Sequence, residues 1–400
     1  MRSASTPWAA RFRGYTTHRF GPLAQLVEQG TLNPKVAGSI PARPIARRLS
    51  ARIGSFGAMK IASIVGNRPQ FIKAAPTSVA LRERGLEEVV IHTGQHYDRE
   101  LSQVFYDELG LEEPRYRLDL RTADPQLMQP AIADRLAGER PDWVLVYGDT
   151  NSTLAGAEAA AELGIALAHV EAGLRSGDLS MPEERNRIEV DKRAHLLFCP
   201  DERSQETLAA EAVPGRAEVV GDVMADATRL FEPIARARAA ERPEPYAVLT
   251  IHREANTEPE QLRSLLEAAG SSGWSLVFPV HPRTGKVIEE HGISLQPSIE
   301  AIEPVGYLEM LALVSGAARV VTDSGGLQKE AYWLRVPCIT LRPSTEWIDT
   351  VQAGANRLSE PDDLAQALAD ASFPEDAPPL YGDGHAAERI AEALYTLPPT

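Results

Sequence analysis

Three carboxylates, Asp149, Glu171 and Glu183, stand where acid–base chemistry would need them. Asp149 and Glu171 follow the short apolar runs 143–147 and 165–170, and Glu183 follows the glycine-containing loop 173–182. Carboxylates gathered at one cleft can hold protons at different pKa values, so that one removes a proton and another returns it. Each also has a structural reading. Asp149 precedes Thr150 as an N-cap candidate, and Pro182-Glu183-Glu184 reads as a helix start. A metal site that draws in His169 and His252 is the other reading, but no compact ligand spacing supports it.

A second group of residues suits an anion. Asp323-Ser324-Gly325-Gly326-Leu327-Gln328-Lys329-Glu330 has the form of a strand end, two glycines and a helix start. Glycines at that point allow close backbone approach, and the first helical turn offers unpaired N–H groups and the positive end of the dipole. Glu330, about two turns in, is placed to accept hydrogen bonds from ribose hydroxyls. The plain alternative is a glycine turn with Asp323 or Ser324 as N-cap. Asn67-Arg68-Pro69-Gln70 opens another helix, with Lys73 one turn in. The planar fork of Arg68 suits phosphate oxygens, although solvated first-turn bases would read the same way. His252 and His281 each follow a strand of the second half, in a binding or a capping role; His92 and His96, flanking Gly94, rank below them. There is neither a GxGxxG fingerprint in a Rossmann context nor a Walker lysine motif. No cofactor and no metal are expected.

These residues need a scaffold, and the chain supplies one by alternation. From Met59 onward, apolar β-branched runs at 60–65, 89–93, 143–147, 165–170, 196–199 and 218–220 alternate with helical patterns, among them 71–84 closed by Gly85 and 99–109. The Pro-rich stretch 241–245 interrupts the pattern as a linker, and strands at 247–251, 276–280, 319–322 and 338–341 repeat it. Such alternation predicts an α/β fold of two Rossmann-like, doubly wound domains facing a cleft. The expected units are 59–240, 241–383 and a C-terminal helix at 384–400 that packs back on the first domain. Six polar clusters fall at the carboxyl ends of the strands, where ligands bind in such sheets.

Bulk properties narrow the function class. Four hundred residues suit two domains, and 43% hydrophobic with 24% charged residues is ordinary soluble composition. No apolar stretch approaches the roughly 20 residues of a bilayer span. The net charge of −15 argues against a general nucleic-acid binder but not against one bound nucleotide. Cys199 and Cys338 are the only cysteines, too few for a disulfide framework or a zinc site. Residues 1–58 differ sharply. They hold nine Arg or Lys against Glu28 alone, a formal +8 that leaves −23 on the rest. Transit peptides and basic tails share that bias, but residues 23–44 resemble the peptide that results when a tRNA gene is translated. The expectation is that the functional protein starts at Met59.

Taken together, the clusters resemble the non-hydrolysing UDP-N-acetylglucosamine 2-epimerase family. The matching pieces are Gly66-Asn67-Arg68-Pro69, Thr93-Gly94-Gln95-His96-Tyr97-Asp98, Gly148-Asp149-Thr150-Asn151-Ser152, residues 169–175 and 182–187, His252-Arg253, Asp323-Ser324-Gly325-Gly326 and Pro343-Ser344-Thr345-Glu346. The likeness runs from Met59 to about Leu394. It implies a fold similar to one class of glycosyltransferases, a homodimer, a UDP-sugar substrate and a cytoplasmic location. By the same resemblance Asp149, Glu171 and Glu183 are acid–base carboxylates, and His252 lies near the diphosphate. Arg68, Lys73 and Arg187 are active-site cations, and Ser324, Gly325, Gly326 and Glu330 make nucleotide-phosphate and ribose contacts; His281, by its place after a strand rather than by resemblance, is a further substrate-binding candidate.

The implied reaction interconverts UDP-N-acetylglucosamine and UDP-N-acetylmannosamine, by elimination of UDP to 2-acetamidoglucal and its re-addition. Two departures bear on substrate. Loop 177–182 is shorter than in many bacterial members, resembling archaeal forms and relatives acting on a 2,3-diacetamido glucuronic acid nucleotide. Asp98 stands where members activated by substrate tend to carry glutamine. The competing readings are an epimerase for that uronate, with Arg175 or Arg185 as the extra cation, a hydrolysing epimerase, a retaining glycosyltransferase and a non-catalytic nucleotide-sugar sensor.

Overall fold

The computed structural model describes residues 59–95, 113–239, 242, 245–397 and 399. The basic N-terminal stretch, the expected helix at 99–109, His96, Asp98 and most of the 241–245 linker lie outside the described residues.

Two parallel sheets form. The first runs β3-β2-β1-β4-β5-β6-β7, with β1 at Lys60–Val65, β2 at Glu87–His92, β3 at Tyr116–Arg117, β4 at Trp143–Tyr147, β5 at Ala166–Val170, β6 at Leu196–Cys199 and β7 at Arg216–Val219. The second runs β10-β9-β8-β11-β12-β13, with β8 at Tyr246–Thr250, β9 at Ser275–Pro279, β10 at Ile299–Ile302, β11 at Arg319–Thr322, β12 at Cys338–Thr340 and β13 at Asn356–Leu358. Every residue of β4, β5 and β8 is buried. That explains their largely apolar runs, since helices cover both faces of such a sheet.

Strand order reverses between β1 and β4 in the first sheet and between β8 and β11 in the second. At these points successive crossovers leave in opposite directions and open a crevice at the carboxyl ends. Gly66, Gly148, His252 and Asp323 all lie just beyond the strands that flank the two reversals. The fold thus aims the polar clusters of both halves at one cleft.

Several boundaries differ from the sequence reading. The first helix begins at Arg68 rather than residue 71, because the Asn67 side chain accepts the Gln70 N–H at 3.2 Å and Pro69 presets the first turn. β7 begins at Arg216, two residues before the expected start. The strands β3, β10 and β13, of two, four and three residues, are too short to register as strands in the pattern.

The Val223–Arg238 helix ties the halves together, packing on both the Arg68–Glu83 and Tyr307–Gly316 helices. Its Phe231 is buried and meets the Tyr307 ring edge-on at 6.1 Å; truncating such a side chain costs about 3–5 kcal/mol. The last helix, Ala386–Thr396, packs against the Arg68–Glu83 and Val223–Arg238 helices. Its first N–H groups, on Ala386 and Ala387, donate to buried Asp226 at 3.0 and 2.8 Å. Both cysteines are buried thiols, each pushed up to about 12 by burial. No helix among the described residues is long and apolar enough to cross a membrane.

Candidate active site

β4 delivers Asp149, and the first question is what that carboxylate does locally. It is not the helix cap. Thr150 takes that position, its hydroxyl accepting the Thr153 N–H, and the Asp149 carboxylate is free to pair with Arg187. Arg187 comes from the Pro182–Asp191 helix, which also sends Asn186 to the Asp149 carbonyl at 3.0 Å. Burial raises the Asp149 carboxyl above its ordinary value, and the charges of Glu171 and Glu183 add to the rise against the pull of Arg187 and Lys73.

The two glutamates at 183 and 184 divide the work. Glu183 is exposed in the first turn, close enough for its charge to be felt at Asp149. Glu184 turns inward, 2% exposed, and accepts the Ser176 and Gly177 N–H groups at 3.0 Å and Arg187 at 3.1 Å. It holds the loop that brings Glu183 to the cleft. Nothing in the sequence distinguishes the two, because helix register alone decides which one faces in.

Glu171, beyond β5, pairs with Lys73 of the first helix, and each side chain is 13% exposed. Burial works against the Glu171 charge, but Lys73, then Lys329 and Arg187, hold the carboxyl well below its ordinary value. Lys73 in turn is raised despite its burial, through Glu171 and Asp149. A Cβ at Gly148 would stand 3.1 Å from the Glu171 carboxylate and 3.3 Å from the Lys73 amine, and its φ is +64°. Only glycine lets both groups close over that turn. Gln70 braces the same corner, accepting the Gly66 N–H at 2.8 Å and donating to the Tyr147 carbonyl at 3.0 Å. Arg68 opens this helix, but its side chain lies outside the described residues.

The second sheet contributes a strand end followed directly by a helix N-terminus. Ser324 caps the Gly325–Trp333 helix by accepting the Leu327 N–H, so the Ser324 cap reading is realised. Asp323 does something else. Fully buried, it accepts the His252 and Arg253 N–H groups, each at 2.9 Å, and lies 3.0 Å from His252 Nδ1. His252 is therefore fixed at the end of β8, half-buried, with the His281 ring 5.6 Å away. His281 is exposed and caps the Pro282–Glu290 helix through Nδ1. Burial, then His252 and Arg283, lower its pKa. Gly325 has Glu346 against it, since a Cβ there would meet Glu346 Oε1 at 2.6 Å; Gly326 is exposed, and Glu330 half-buried.

Lys329 and Asp222 were not foreseen. They form a buried ion pair between the Gly325–Trp333 and Val223–Arg238 helices, with the Lys329 amine 4.1 Å from the centre of the Trp347 ring. Lys329, on a helix of the second sheet, lowers Glu171 beyond β5 of the first, so the carboxyl ends of the two sheets act on each other.

Other expected candidates have structural duties. His169 is tied at both ring nitrogens, to Asp191 and to the Gly148 carbonyl. Arg175 pairs with Asp191 and Glu211, and Arg185 donates to the Leu179 and Ser180 carbonyls. Arg175 is thus neutralised by two carboxylates, whereas Arg185 is exposed and, among the described residues, engages only backbone carbonyls through Nη1. His92 accepts the Gly94 N–H at 2.9 Å and stacks on Phe71. Among the described residues no group of three or more His, Cys, Asp or Glu is placed to hold a metal ion.

The arrangement brings Asp149, Glu171, Glu183, Lys73 and Arg187 together at one sheet. Opposite lie His252, a helix N-terminus and Lys329. It can move protons at a carbon centre while holding a diphosphate.

Comparison with known proteins points the same way. The family model described as UDP-N-acetylglucosamine 2-epimerase matches residues 79–395. The chain is 43% identical over 360 residues to a UDP-N-acetylglucosamine 2-epimerase homolog of Methanococcus maripaludis, covering 85% of this chain and 100% of that one. It is 42% identical over 362 residues to the UDP-2,3-diacetamido-2,3-dideoxy-D-glucuronate 2-epimerase of Pseudomonas aeruginosa, covering 85% and 100%. Among solved structures it resembles Methanocaldococcus jannaschii UDP-GlcNAc 2-epimerase in complex with UDP-GlcNAc and UDP. That match has a TM-score of 0.72 and 36% identity and covers 84% of this chain and 99% of that one.

Proposed function

The chain belongs to the UDP-N-acetylglucosamine 2-epimerase family, and from that premise we propose that it interconverts UDP-N-acetylglucosamine and UDP-N-acetylmannosamine. It is a nucleotide-sugar 2-epimerase, an isomerase.

The observation that carries the mechanism is the gathering of Asp149 against Arg187 and Glu171 against Lys73 at adjacent strand ends, with the first carboxyl raised and the second lowered. Carbon 2 of the sugar has no adjacent carbonyl, so its proton resists direct removal. Breaking the anomeric C–O bond to UDP first develops oxocarbenium character, which acidifies that proton. Glu171 stays anionic against Lys73, and its charge stabilises the developing cation. Asp149, raised above its ordinary value by burial, handles one proton transfer; Glu183, exposed on the neighbouring helix, handles the other. The intermediate is 2-acetamidoglucal with UDP, and re-protonation on the opposite face followed by re-addition of UDP gives the epimer.

The diphosphate would sit between Arg187, Lys73 and His252 and the first turn of the Gly325–Trp333 helix, whose leading N–H groups have no partner within the helix. Gly325 and Gly326 let the phosphates approach the backbone, and Glu330 would meet the ribose. The same reading makes the protein a cytoplasmic homodimer that supplies an activated amino sugar for a cell-surface polysaccharide.

A second reading, epimerisation of UDP-2,3-diacetamido-2,3-dideoxy-glucuronate, is favoured by the 42% identical relative from Pseudomonas aeruginosa. A uronate carboxylate calls for a cation near the sugar, and Arg175 already pairs with Asp191 and Glu211, while Arg185 carries no acidic partner among the described residues. The acetamido sugar is the first substrate to test. Purified protein incubated separately with each nucleotide sugar, with products read by NMR, decides the matter. The manno epimer of UDP-N-acetylglucosamine is the expected product. Turnover of the uronate alone selects the second reading, and free N-acetylmannosamine with UDP indicates a hydrolysing enzyme. No turnover of either overturns the proposal.

A further inference from the structure

Asp191 is fully buried at the end of the Pro182–Asp191 helix, yet it reaches both turns that carry the catalytic carboxylates. One oxygen lies 2.7 Å from His169 Nδ1; the other accepts the Gly173 N–H at 3.2 Å and Arg175 Nη1 at 2.8 Å. His169, equally buried in β5, turns its Nε2 to the Gly148 carbonyl at 2.7 Å. Gly148 precedes Asp149, and Gly173 follows Glu171 by two residues.

Those turns need holding. Glu171 has a φ of +71°, a left-handed conformation that residues other than glycine keep only where the surroundings impose it. The Glu171 and Ala172 N–H groups both go to the Phe198 carbonyl at 3.1 Å, and the Gly173 N–H goes to Asp191. On the other side, the Gly148 N–H goes to the Val170 carbonyl at 3.0 Å and its own carbonyl to His169.

Both ring nitrogens of His169 face acceptors, because a carbonyl oxygen only accepts and so does an ionised carboxylate. Asp191 is held in its ionised form: burial opposes the charge, but His169 and Arg175 outweigh it. Glu211, on the outer side of Arg175, completes the set of charges around it.

We infer that Asp191 is a positioning residue for the reaction, acting through a His169 ring that donates from both nitrogens to lock the Gly148–Asp149 turn, and directly through Gly173 to lock the Glu171 turn. The kinetic part of this inference rests on the epimerase reading; the ring state does not.

The test uses the full-length protein in two arms. With ¹⁵N-labelled histidine, and His169→Gln to identify the signals, the wild type should show two N–H protons on the His169 ring at neutral pH. Asp191→Asn should reduce them to one. In turnover, Asp191→Asn should lower kcat by about 10- to 100-fold, as small misplacements of reacting groups do, with KM and the UDP dissociation constant nearly unchanged. Arg175→Met removes a different bond to the same carboxylate and should lower Tm while leaving kcat near wild type. If Asp191→Asn does not fold, His169→Gln carries the kinetic arm with the same expected split between kcat and KM. A single N–H on the wild-type ring, or a folded Asp191→Asn (or His169→Gln in its place) with wild-type kcat, would overturn the inference. A wild type that turns over neither sugar overturns the epimerase reading instead, and the ring spectrum still decides this one.

Discussion

Lys329 pairs with Asp222 across the two sheets, and both side chains are almost fully buried, at 6% and 3% exposure. Asp222 also caps the Val223–Arg238 helix, its other oxygen accepting the Met224 N–H at 2.8 Å. A charge buried here is tolerable only with its partner present. Asp222→Ala should therefore cost about 3–5 kcal/mol of stability, because an unpaired ammonium is left inside. Adding Lys329→Met should recover most of that loss. Urea unfolding of the single and double variants checks this, and equal midpoints would mean that the ammonium finds another partner.

Asp149→Asn keeps the size of the side chain and removes its charge and its titration. Since Thr150 caps the following helix, the fold and UDP binding should survive. Turnover should fall by about 10²–10⁴-fold. Near-normal turnover in the folded variant would remove Asp149 from the proton-transfer steps.

Glu330→Ala should act differently, weakening UDP affinity with a smaller effect on turnover at saturation. Calorimetric titration with UDP beside saturating kinetics separates the two effects. The reverse pattern, unchanged affinity and lost turnover, would contradict a ribose contact.

Acid should unfold the protein through a few identifiable groups. Glu171, Asp191 and Asp323 have carboxyls held below their ordinary values of 4.5, 3.8 and 3.8. The unfolded chain therefore takes up protons first as pH falls. Their stabilisation is complete above about pH 4.5 and is lost as pH drops through the lowered folded values. Asp149 and Asp226, both raised, run the other way and gain as pH falls through the range just above 3.8. Unfolding free energy should hold nearly level down to about pH 4.5 and fall below it. In Asp323→Asn the acid limb should be shallower than in the wild type, as read by denaturant midpoints across this range. An unchanged limb would show that Asp323 does not contribute to it.

Much of this was legible in the sequence because buried parallel strands announce themselves. The runs that became β4, β5 and β8 are mostly apolar, and the polar residues just beyond them could be read as cleft-facing before any geometry was known. What stayed hidden depended on tertiary distance or helix register. Asp222 and Lys329 lie 107 residues apart, and no local pattern links them. Asp191 closes a helix in an unremarkable run, and only the fold sets it behind both carboxylate turns. Glu183 and Glu184 are identical letters with opposite fates, decided by which face of their helix meets the loop. Asp149 as a helix cap was a fair local reading; Thr150, one residue on, had the geometry to win it.

The central claim is that a proton leaves carbon 2 and another arrives from solvent-exchanged side chains on the opposite face. Epimerisation in D₂O, followed by mass spectrometry of the new epimer after brief reaction, tests it most directly. The account predicts one deuterium at carbon 2 of the product, with traces of 2-acetamidoglucal and UDP released alongside. A product that keeps its original hydrogen in D₂O would contradict the account, because a proton handled by Asp149 and Glu183 cannot escape exchange on its way.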